Sequence, residues 1–323
     1  MHRPTSMFGM IQSDLHQLEA DLLSLIQSPV GTVNQIYTHL LQAGGKRLRP
    51  ALYLLCSRSG RQEAVPTLGL AVAIELIHMA TLVHDDVIDN AETRRSLPTA
   101  NTVWGNHVTV LAGDYLFAKA FSIIAANGDN ECLRKLTDIV CRICEGEIVQ
   151  SKSAFDAGQT EGEYLERLAQ KTADFIAVSC ELGAMSAGHS PADIAALKQY
   201  GYSVGMAFQL TDDLLDVTAS SQQVGKPVGN DLRQGILTLP VLYALQNSIH
   251  RDELREMIIS RDMSEANVNR GLAIVHETDA VTYSYQRVRE YLQQARSVLP
   301  DTLDASARST LMAVADFVGL RKY

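Results

Sequence analysis

Apolar residues recur at helical spacing along almost the whole chain, and alternating runs bounded by turn residues are absent. Glycine, proline and asparagine mark the breaks between these segments. Several segments are apolar around their whole circumference, which is typical of helices buried among other helices. The pattern therefore predicts an all-α single domain over residues 1–323, a bundle with central helices surrounded by others. The predicted helices cover residues 10–27, 32–43, 66–90, 100–126, 130–151, 161–187, 191–218, 236–247 and 278–298, with a last one from about residue 303.

Two copies of one acidic motif lie at the ends of apolar segments. The first runs from Asp85 to Asp89 and the second from Asp212 to Asp216, each with the pattern Asp-Asp-x-x-Asp. Three ionised carboxylates this close together repel one another and raise one another's pKa values. One such motif is also typical of a solvated helix end, but its repetition favours a bound cation. Carboxylate oxygens favour a hard ion such as Mg²⁺, shared with a phosphorylated substrate.

Helical geometry places each motif on one face of its helix. At about 100° per residue, His78, Asp85 and Asp89 fall within about 40° of one another. Four side chains of the second segment fit within an arc of roughly 100° by the same geometry: Gln209, Asp212, Asp213 and Asp216. If the two faces meet across a cavity, they can hold metal ions against a polyanion. We therefore expect a cavity between two Asp-rich helices.

Composition narrows the class of protein. The chain has 323 residues, 46% hydrophobic and 20% charged, and a formal net charge of −9. A general nucleic-acid-binding protein carries a basic face, so nucleic acid is not an expected partner. The first residues lack the charged-then-apolar layout of a signal peptide. The most apolar window, residues 68–83, contains Glu75 and His78 and is shorter than the roughly 20 apolar residues of a membrane span. We expect a cytoplasmic protein with no membrane span.

Positive charge is instead concentrated locally. Residues 44–50 form a Gly-rich turn that carries three cations and leads into a helix opened by Pro50. Cations and unpaired backbone N–H groups at such a helix start suit a diphosphate. Further candidate diphosphate ligands follow the two acidic motifs or lie within an apolar helix: Arg94, Arg95, Lys171, Thr172 and Lys226.

Other chemistries lack the residues that they need. Cys141 and Cys144 have a metal or redox spacing, but no second cysteine pair accompanies them, so we interpret them as two small residues on a helix. Glu75 and His78 form one Glu-x-x-His pair, whereas a di-iron bundle needs two such pairs. The sequence contains no nucleophile elbow, Walker loop or dinucleotide-binding glycine turn.

Together, these motifs resemble the trans-polyprenyl diphosphate synthases. The similar segments occur in that family's order: residues 44–50, 78, 85–89, 94–95, 171–172, 208–216 and 225–232. The chain looks most like the catalytic component of bacterial two-component heptaprenyl diphosphate synthases, through residues 76–95, 176–184 and 225–245. One departure is Ile236, where many relatives have a lysine that contacts the allylic diphosphate.

The resemblance implies a fold of the isoprenoid synthase type and a role for each matching residue. The diphosphate of isopentenyl diphosphate would bind Lys46, Arg49, His78 and Arg95. The allylic substrate would be held by Arg94, Lys171, Thr172, Gln209 and Lys226. Up to about three Mg²⁺ ions would bind with the substrate diphosphate, coordinated by Asp85, Asp89 and Asp212. The expected catalytic set is completed by Asp86, Asp213 and Asp216 together with Lys171.

The resemblance also implies the reaction, in which isopentenyl diphosphate is condensed head-to-tail onto farnesyl or geranylgeranyl diphosphate. Short-chain relatives place an aromatic residue about one turn before the first motif, where this chain has Ala80 and Thr81. Two small residues leave the path of the product open, so we expect an all-trans product of about 30–35 carbons for a quinone side chain. A geranylgeranyl or an octaprenyl product is the alternative.

The number of chains in the enzyme stays open. Relatives of this kind act as homodimers or as heterodimers with a small non-catalytic subunit. A class I terpene cyclase would share ionisation at an Asp-rich motif, but Lys46, Arg49 and His78 argue for a second substrate. A non-catalytic subunit usually lacks the aspartates, all six of which are present here.

Overall fold

The computed structural model describes residues 7–60, 68–95, 97–127, 129–218 and 228–320. Within these residues the chain is almost entirely helical, so the prediction of an all-α fold is confirmed. A short hairpin pairs Thr93–Arg94 (β1) antiparallel with Leu97–Pro98 (β2), with Arg94 opposite Leu97.

A 3-10 turn at Gly9–Ile11 precedes α1, and a π-helical turn at Ala169–Ala173 joins α8 to α9. The helix bounds are α1 Gln12–Leu25, α2 Gly31–Gln42, α3 Leu48–Ser57, α4 Leu68–Ile88, α5 Ala100–Trp104, α6 Asn106–Asn127, α7 Asn130–Ser153, α8 Glu161–Leu168, α9 Asp174–Ser186, α10 Pro191–Thr218, α11 Asn230–Arg233, α12 Leu239–Asn247, α13 Arg251–Ser260, α14 Glu265–His276, α15 Ala280–Ser297 and α16 Ala305–Gly319.

The chain forms two compact units, each assembled from three stretches of sequence. Unit 1 comprises Met1–Asp138, Ser179–Ile194 and Thr302–Thr310. Unit 2 comprises Ile139–Val178, Ala195–Asp301 and Leu311–Tyr323. The assignment of residues 1–323 to one domain stays a prediction.

Three helices lie in segments for which the sequence pattern predicts none: α11, α13 and α14. Helix α11 is a single turn from Asn230 to Arg233, and α13 is mostly polar and buries only Leu254 and Ile258. The predicted gap over residues 248–277 is therefore wrong. The helix expected to open at Pro50 is present as α3, but it begins two residues earlier, at Leu48, and it is buried on every side from Pro50 to Ser57.

Two predicted helices are interrupted. The segment 100–126 breaks at Gly105, whose φ of 79° lies in a region that favours glycine. The segment 161–187 is helical throughout but passes through the π turn at Ala169–Ala173. Neither interruption changes the hydrophobic spacing enough to be read from the sequence.

In unit 1, α4 packs against α6 along much of its length. Residues 70–77 of α4 are all buried, which explains why that helix is apolar on almost every face. The missing side chain of Gly113 in α6 leaves the space that the His84 ring of α4 occupies. This close crossing fixes the final turns of α4, where the first acidic motif lies.

Two of the described helices, α4 and α6, are long and apolar enough to cross a membrane. The most apolar window of α4 is 61% buried inside the protein, whereas that of α6 is only 33% buried. Burial in the core accounts for the hydropathy of α4. Helix α6 instead exposes Val110 and Leu111, which are 38% and 54% exposed.

In unit 2, α10 packs closely against the π turn. A Cβ at Gly205 of α10 would lie 2.6 Å from Cα of Ala173. The Tyr200 hydroxyl, one turn earlier, donates to the Leu311 carbonyl at 2.7 Å. These contacts hold α10 in place along the segment that leads to the second acidic motif.

Candidate active site

The first acidic motif begins in the last turn of α4. Asp85 is half-buried, Asp86 is buried, and Asp89, just past the end of the helix, is exposed. The Asp89 N–H donates to the Asp85 carbonyl at 2.8 Å, so the helical path continues through the motif. Carboxylates at a helix C-terminus face the negative end of the helix dipole, and each is destabilised by about 0.3–1 kcal/mol. This placement favours a bound cation.

Asp86 is paired within the protein. Arg94 Nε donates to Asp86 Oδ1 at 2.8 Å, and the Asp86 side chain is only 2% exposed. The β1–β2 hairpin supplies this arginine, and the Ala91 N–H donates to the Asp86 carbonyl at 2.9 Å where the chain leaves α4. Asp86 therefore orients Arg94, whereas Asp85 and Asp89 present more accessible carboxylates.

The loop of residues 44–50 enters α3 through two left-handed backbone positions, Gly44 with φ 68° and Arg47 with φ 49°. Glycine adopts this conformation readily, whereas an arginine needs surroundings that hold it there. Arg47 donates to Glu19 at 2.9 Å and to Glu75 at 2.7 Å. Lys46, its neighbour in sequence, is exposed. Adjacent cations of this loop thus lie in different environments.

Arg49 and His78, both predicted diphosphate ligands, meet in unit 1. Nη1 of Arg49 lies 3.2 Å from Nε2 of His78. Because a guanidinium only donates, Nε2 accepts and the ring proton lies on Nδ1. Burial, and then the charge of Arg49 and of the other nearby arginines, lowers the pKa of His78 well below 6.5. His78 is therefore neutral at pH 7 and fixes the direction of Arg49.

Arg95 extends this cation cluster. Its Nη1 lies 3.1 Å from the position that a Cβ would take at Gly45, so the glycine leaves space for the guanidinium. Burial and the positive charges of Arg94 and Arg47 lower the pKa of Arg95. Repulsion among these cations is relieved when an anion binds beside them. Unit 1 therefore brings together three predicted ligands of one diphosphate: Arg49, His78 and Arg95.

Lys171 and Thr172 lie in the π turn of unit 2. Such turns occur frequently at functional sites because they redirect the side chains of one helical turn. Lys171 Nζ pairs with Oε1 of Glu147 in α7 at 2.6 Å. A Cβ at Gly146 would lie 3.1 Å from Cβ of Gln170, so this glycine allows the π turn to approach α7.

A hydrogen-bonded chain connects the π turn to the second acidic motif. Thr172 Oγ1 donates to Gln209 Oε1 at 3.2 Å, and Gln209 Nε2 donates to Asp213 Oδ1 at 3.0 Å. The Tyr164 hydroxyl donates to the other carboxylate oxygen of Asp213 at 2.7 Å. Burial raises the pKa of Asp213 to about 6. Asp213, like Asp86, is the buried and internally paired second aspartate of its motif, whereas Asp212 is half-buried.

Asp216 anchors the segment that follows its helix. Its two carboxylate oxygens accept the backbone N–H groups of Asn230 and Asp231 at 3.1 and 3.0 Å. The Gly229 N–H donates to the Asp216 carbonyl at 2.9 Å. Asp216 thus fixes residues 229–231. Lys226, a predicted ligand of the allylic substrate, lies outside the described residues.

Three residues without a predicted role contact the site or the 44–50 loop: Glu75, Glu147 and Tyr164. Glu147 pairs with Lys171, and Tyr164 donates to Asp213. Glu75 pairs with Arg47 of the 44–50 loop. Glu75 lies three positions before His78, a spacing that puts both on one helix face and could have identified it. Nothing in the local sequence links Tyr164 to Asp213, 49 residues away.

The two residues predicted to set product length lie on α4, one turn before Asp85. Ala80 is fully buried and Thr81 is half-buried. The Thr81 hydroxyl donates to the His78 carbonyl at 2.8 Å. Their lining of a path for the product stays a prediction.

The carboxylates fit an ion that is shared with substrate. Within the described residues, no three His, Cys, Asp or Glu side chains are gathered closely enough to hold a metal ion by themselves. Mg²⁺ that serves phosphate chemistry usually takes one or two protein carboxylates, several waters and the substrate's phosphate oxygens. The accessible carboxylates of Asp85, Asp89 and Asp212 suit that mode of binding.

The chain belongs to the polyprenyl synthetase family, whose model matches residues 30–275. It is 40% identical over 318 residues to component 2 of the heptaprenyl diphosphate synthase of Geobacillus stearothermophilus, covering 98% of this chain and 99% of that protein. The resemblance inferred from the motifs is thereby confirmed.

Solved structures agree with this assignment. The heptaprenyl diphosphate synthase of Staphylococcus aureus matches 97% of this chain and 99% of its own, with a TM-score of 0.91 and 32% identity. A polyprenyl synthase from Caulobacter crescentus CB15, complexed with calcium and isoprenyl diphosphate, matches 98% of this chain and 97% of its own, with a TM-score of 0.90 and 33% identity.

Proposed function

We propose that the chain is a trans-prenyltransferase that condenses isopentenyl diphosphate head-to-tail onto farnesyl or geranylgeranyl diphosphate. The product is an all-trans polyprenyl diphosphate of the length used for quinone side chains. The observation that carries this proposal is the cation cluster of unit 1. Arg49 donates to neutral His78, on the helix that ends in the first acidic motif, and the charges of Arg94 and Arg95 help to lower the pKa of that histidine. Membership of the polyprenyl synthetase family supports the proposal.

The reaction requires an allylic C–O bond to break, which places negative charge on the leaving diphosphate. Arg94, held by Asp86, and Lys171, held by Glu147, are cations that are oriented before substrate binds. Preorganised charge of this kind stabilises the developing anion without reorganisation at the moment of reaction. Asp85, Asp89 and Asp212 would hold Mg²⁺, which when bound neutralises part of the same charge.

The second substrate provides the nucleophile and the proton. Its diphosphate binds Lys46, Arg49 and Arg95, which aligns its alkene with the allylic cation. Carbon–carbon bond formation is followed by loss of a proton to the departed diphosphate, because no side chain of the site is an evident general base. The new allylic diphosphate is longer by one five-carbon unit and can re-enter the cycle.

Product length follows from what obstructs the growing chain near α4. Ala80 and Thr81 are both small, and a small residue one turn before Asp85 leaves the path open. We therefore infer a product of about 30–35 carbons rather than one of farnesyl length.

We further propose that the chain works with a partner through the exposed apolar part of α6. The name "component 2" of its Geobacillus relative supports a small second subunit, and the exposure of Leu111 supplies a candidate contact. Sedimentation of the purified chain, alone and after co-expression with such a subunit, distinguishes a homodimer from a heterodimer. We also infer a cytoplasmic location, because a buried partner interface accounts for the apolar α6 without a membrane.

The direct test is incubation of the purified chain with farnesyl diphosphate and Mg²⁺, with and without radiolabelled isopentenyl diphosphate. Condensation gives labelled products whose chain length is read by chromatography, and no product forms without isopentenyl diphosphate. A cyclic hydrocarbon formed from farnesyl diphosphate alone would identify a terpene cyclase instead. If label enters product only after the small subunit is added, the two-component form is established.

A further inference from the structure

Arg47 of the 44–50 loop has its charge neutralised inside the protein. Its side chain is 9% exposed and lies between two carboxylates, Glu19 of α1 and Glu75 of α4. Nε donates to Glu19 Oε1 at 2.9 Å and Nη1 donates to Glu75 Oε1 at 2.7 Å. Lys46, in contrast, is exposed. Arg47 is therefore poorly placed to bind a substrate anion.

The same contacts tie the loop to the helix that carries the rest of the diphosphate site. Glu75 lies one turn before His78 on α4, and His78 accepts from Arg49 at 3.2 Å. Nη1 of Arg47 also lies 3.0 Å from the position that a Cβ would take at Gly45, on the side where Arg95 approaches the same glycine. The Arg47 guanidinium thus packs against the loop backbone at Gly45.

The backbone of Arg47 supports the same interpretation. Its φ of 49° and ψ of 34° are left-handed, and this residue is the N-cap of α3. An arginine adopts that conformation only at an energetic cost, and it persists where surrounding contacts fix it. The pair of carboxylates supplies those contacts.

We propose that the Glu19–Arg47–Glu75 cluster is a positioning device that sets the loop of residues 44–50 for the diphosphate of isopentenyl diphosphate. Arg47 itself does not touch substrate. This inference rests on the proposed function, since it names the substrate whose diphosphate the loop would bind.

The direction in which one substitution changes the affinity for diphosphate separates a positioning role from simple charge repulsion. Glu75→Gln removes a negative charge close to the predicted anion site and preserves the shape of the side chain. If Glu75 only repels the anion, this change strengthens diphosphate binding. If Glu75 holds Arg47 and through it the loop, binding weakens even though the site has become more positive.

The test measures KM for both substrates and binding of inorganic diphosphate by calorimetry, in Arg47→Met and Glu75→Gln. We expect KM for isopentenyl diphosphate to rise about tenfold in Arg47→Met and by a smaller factor in Glu75→Gln, with kcat and KM for farnesyl diphosphate changed far less. The matched control is Arg58→Met, which removes the ion pair of Arg58 with Asp14 at 2.8 Å, between the other end of α3 and α1.

The control distinguishes a general loss of protein stability from a misplaced 44–50 loop. Arg58→Met should lower the melting temperature without changing KM for isopentenyl diphosphate. An unchanged KM in Arg47→Met, or tighter binding of inorganic diphosphate in Glu75→Gln, would overturn the proposal. If the wild-type chain fails to condense the two substrates, the proposed function is lost, whereas the calorimetric comparison still decides whether Arg47 positions an anion site.

Discussion

At the scale of single residues, the first and second aspartates of each acidic motif differ in burial and in hydrogen bonding, although the two motifs share one sequence pattern. In each motif the second aspartate is buried and paired with protein donors, Arg94 for Asp86 and Tyr164 with Gln209 for Asp213. The first aspartate of each is half-buried. We infer that the second aspartates orient neighbouring side chains, while Asp85 and Asp212 serve the metal.

Tyr164→Phe tests the role of the buried pair. The substitution leaves Asp213 buried without its hydroxyl donor, and the free energy of unfolding should fall by about 1–3 kcal/mol in urea denaturation. Tyr283→Phe is the matched control, because the Tyr283 hydroxyl donates to Glu161 at 2.8 Å in a more accessible position. The control should cost about 0–1 kcal/mol. Equal losses in the two variants would show that burial of Asp213 is not decisive.

The neutral state of His78 predicts how stability depends on pH. Its pKa in the folded protein is well below the unfolded value of 6.5, so below pH 6.5 the unfolded chain takes up a proton that the folded chain does not. Stability should therefore fall as pH decreases from 6.5, by at most about 1.4 kcal/mol per pH unit for this group. Urea denaturation at several pH values measures the free energy of unfolding of the wild type and of His78→Gln. The difference between the two free energies should narrow as the pH falls. A difference that is constant from pH 7.5 to 5.5 contradicts the assignment.

At the scale of elements, the hydrophobic pattern predicts the long helices. It does not predict helix boundaries or interruptions where complete burial or a local change of geometry leaves no periodic signal. The acidic ends of α4 and α10 were predicted because aspartates interrupt an apolar stripe. The expected start of α3 is misplaced by two residues and its length is not predicted, because every side chain from Pro50 to Ser57 is buried. The π turn was missed because one extra residue per turn barely changes hydrophobic spacing, although it redirects Lys171. Contacts such as Tyr164 with Asp213 depend on tertiary packing, which no local pattern encodes.

Gly205→Ala tests the close approach of α10 to the π turn. A Cβ there would lie 2.6 Å from Cα of Ala173, and a backbone atom cannot rotate away. We expect a loss of about 1–3 kcal/mol in unfolding free energy and a raised KM for the allylic substrate, because Thr172 and Gln209 are displaced. Gly31→Ala, whose Cβ would meet nothing within 4 Å, is the control for the added methyl group. A Gly205→Ala enzyme with wild-type stability and KM would exclude this account.

Thr81→Phe tests whether α4 sets the chain length of the product. A large ring at this half-buried position should block the growing chain and shorten the main product, as read by chromatography of the dephosphorylated prenols. The rate of the first condensation should change little, because the ring lies away from the diphosphates. An unchanged product length would place the path elsewhere.

At the scale of the whole molecule, all-helical architecture and two acidic helix ends coincide with membership of the polyprenyl synthetase family. Unit 1 holds the first acidic motif and the cation cluster, and unit 2 holds the second motif with Lys171 and Thr172. We propose that prenyl transfer depends on Asp85 of unit 1 and on Asp212 of unit 2.

The most direct measurement is incorporation of labelled isopentenyl diphosphate into product by Asp85→Asn and by Asp212→Asn, at saturating farnesyl diphosphate and Mg²⁺. Each variant should keep the wild-type helical circular dichroism and lose about a thousandfold in turnover, corresponding to about 4 kcal/mol of lost transition-state stabilisation. Asp114→Asn, an exposed aspartate of α6, should retain full activity. Near-normal turnover in either motif variant would contradict the claim that both helix ends are needed.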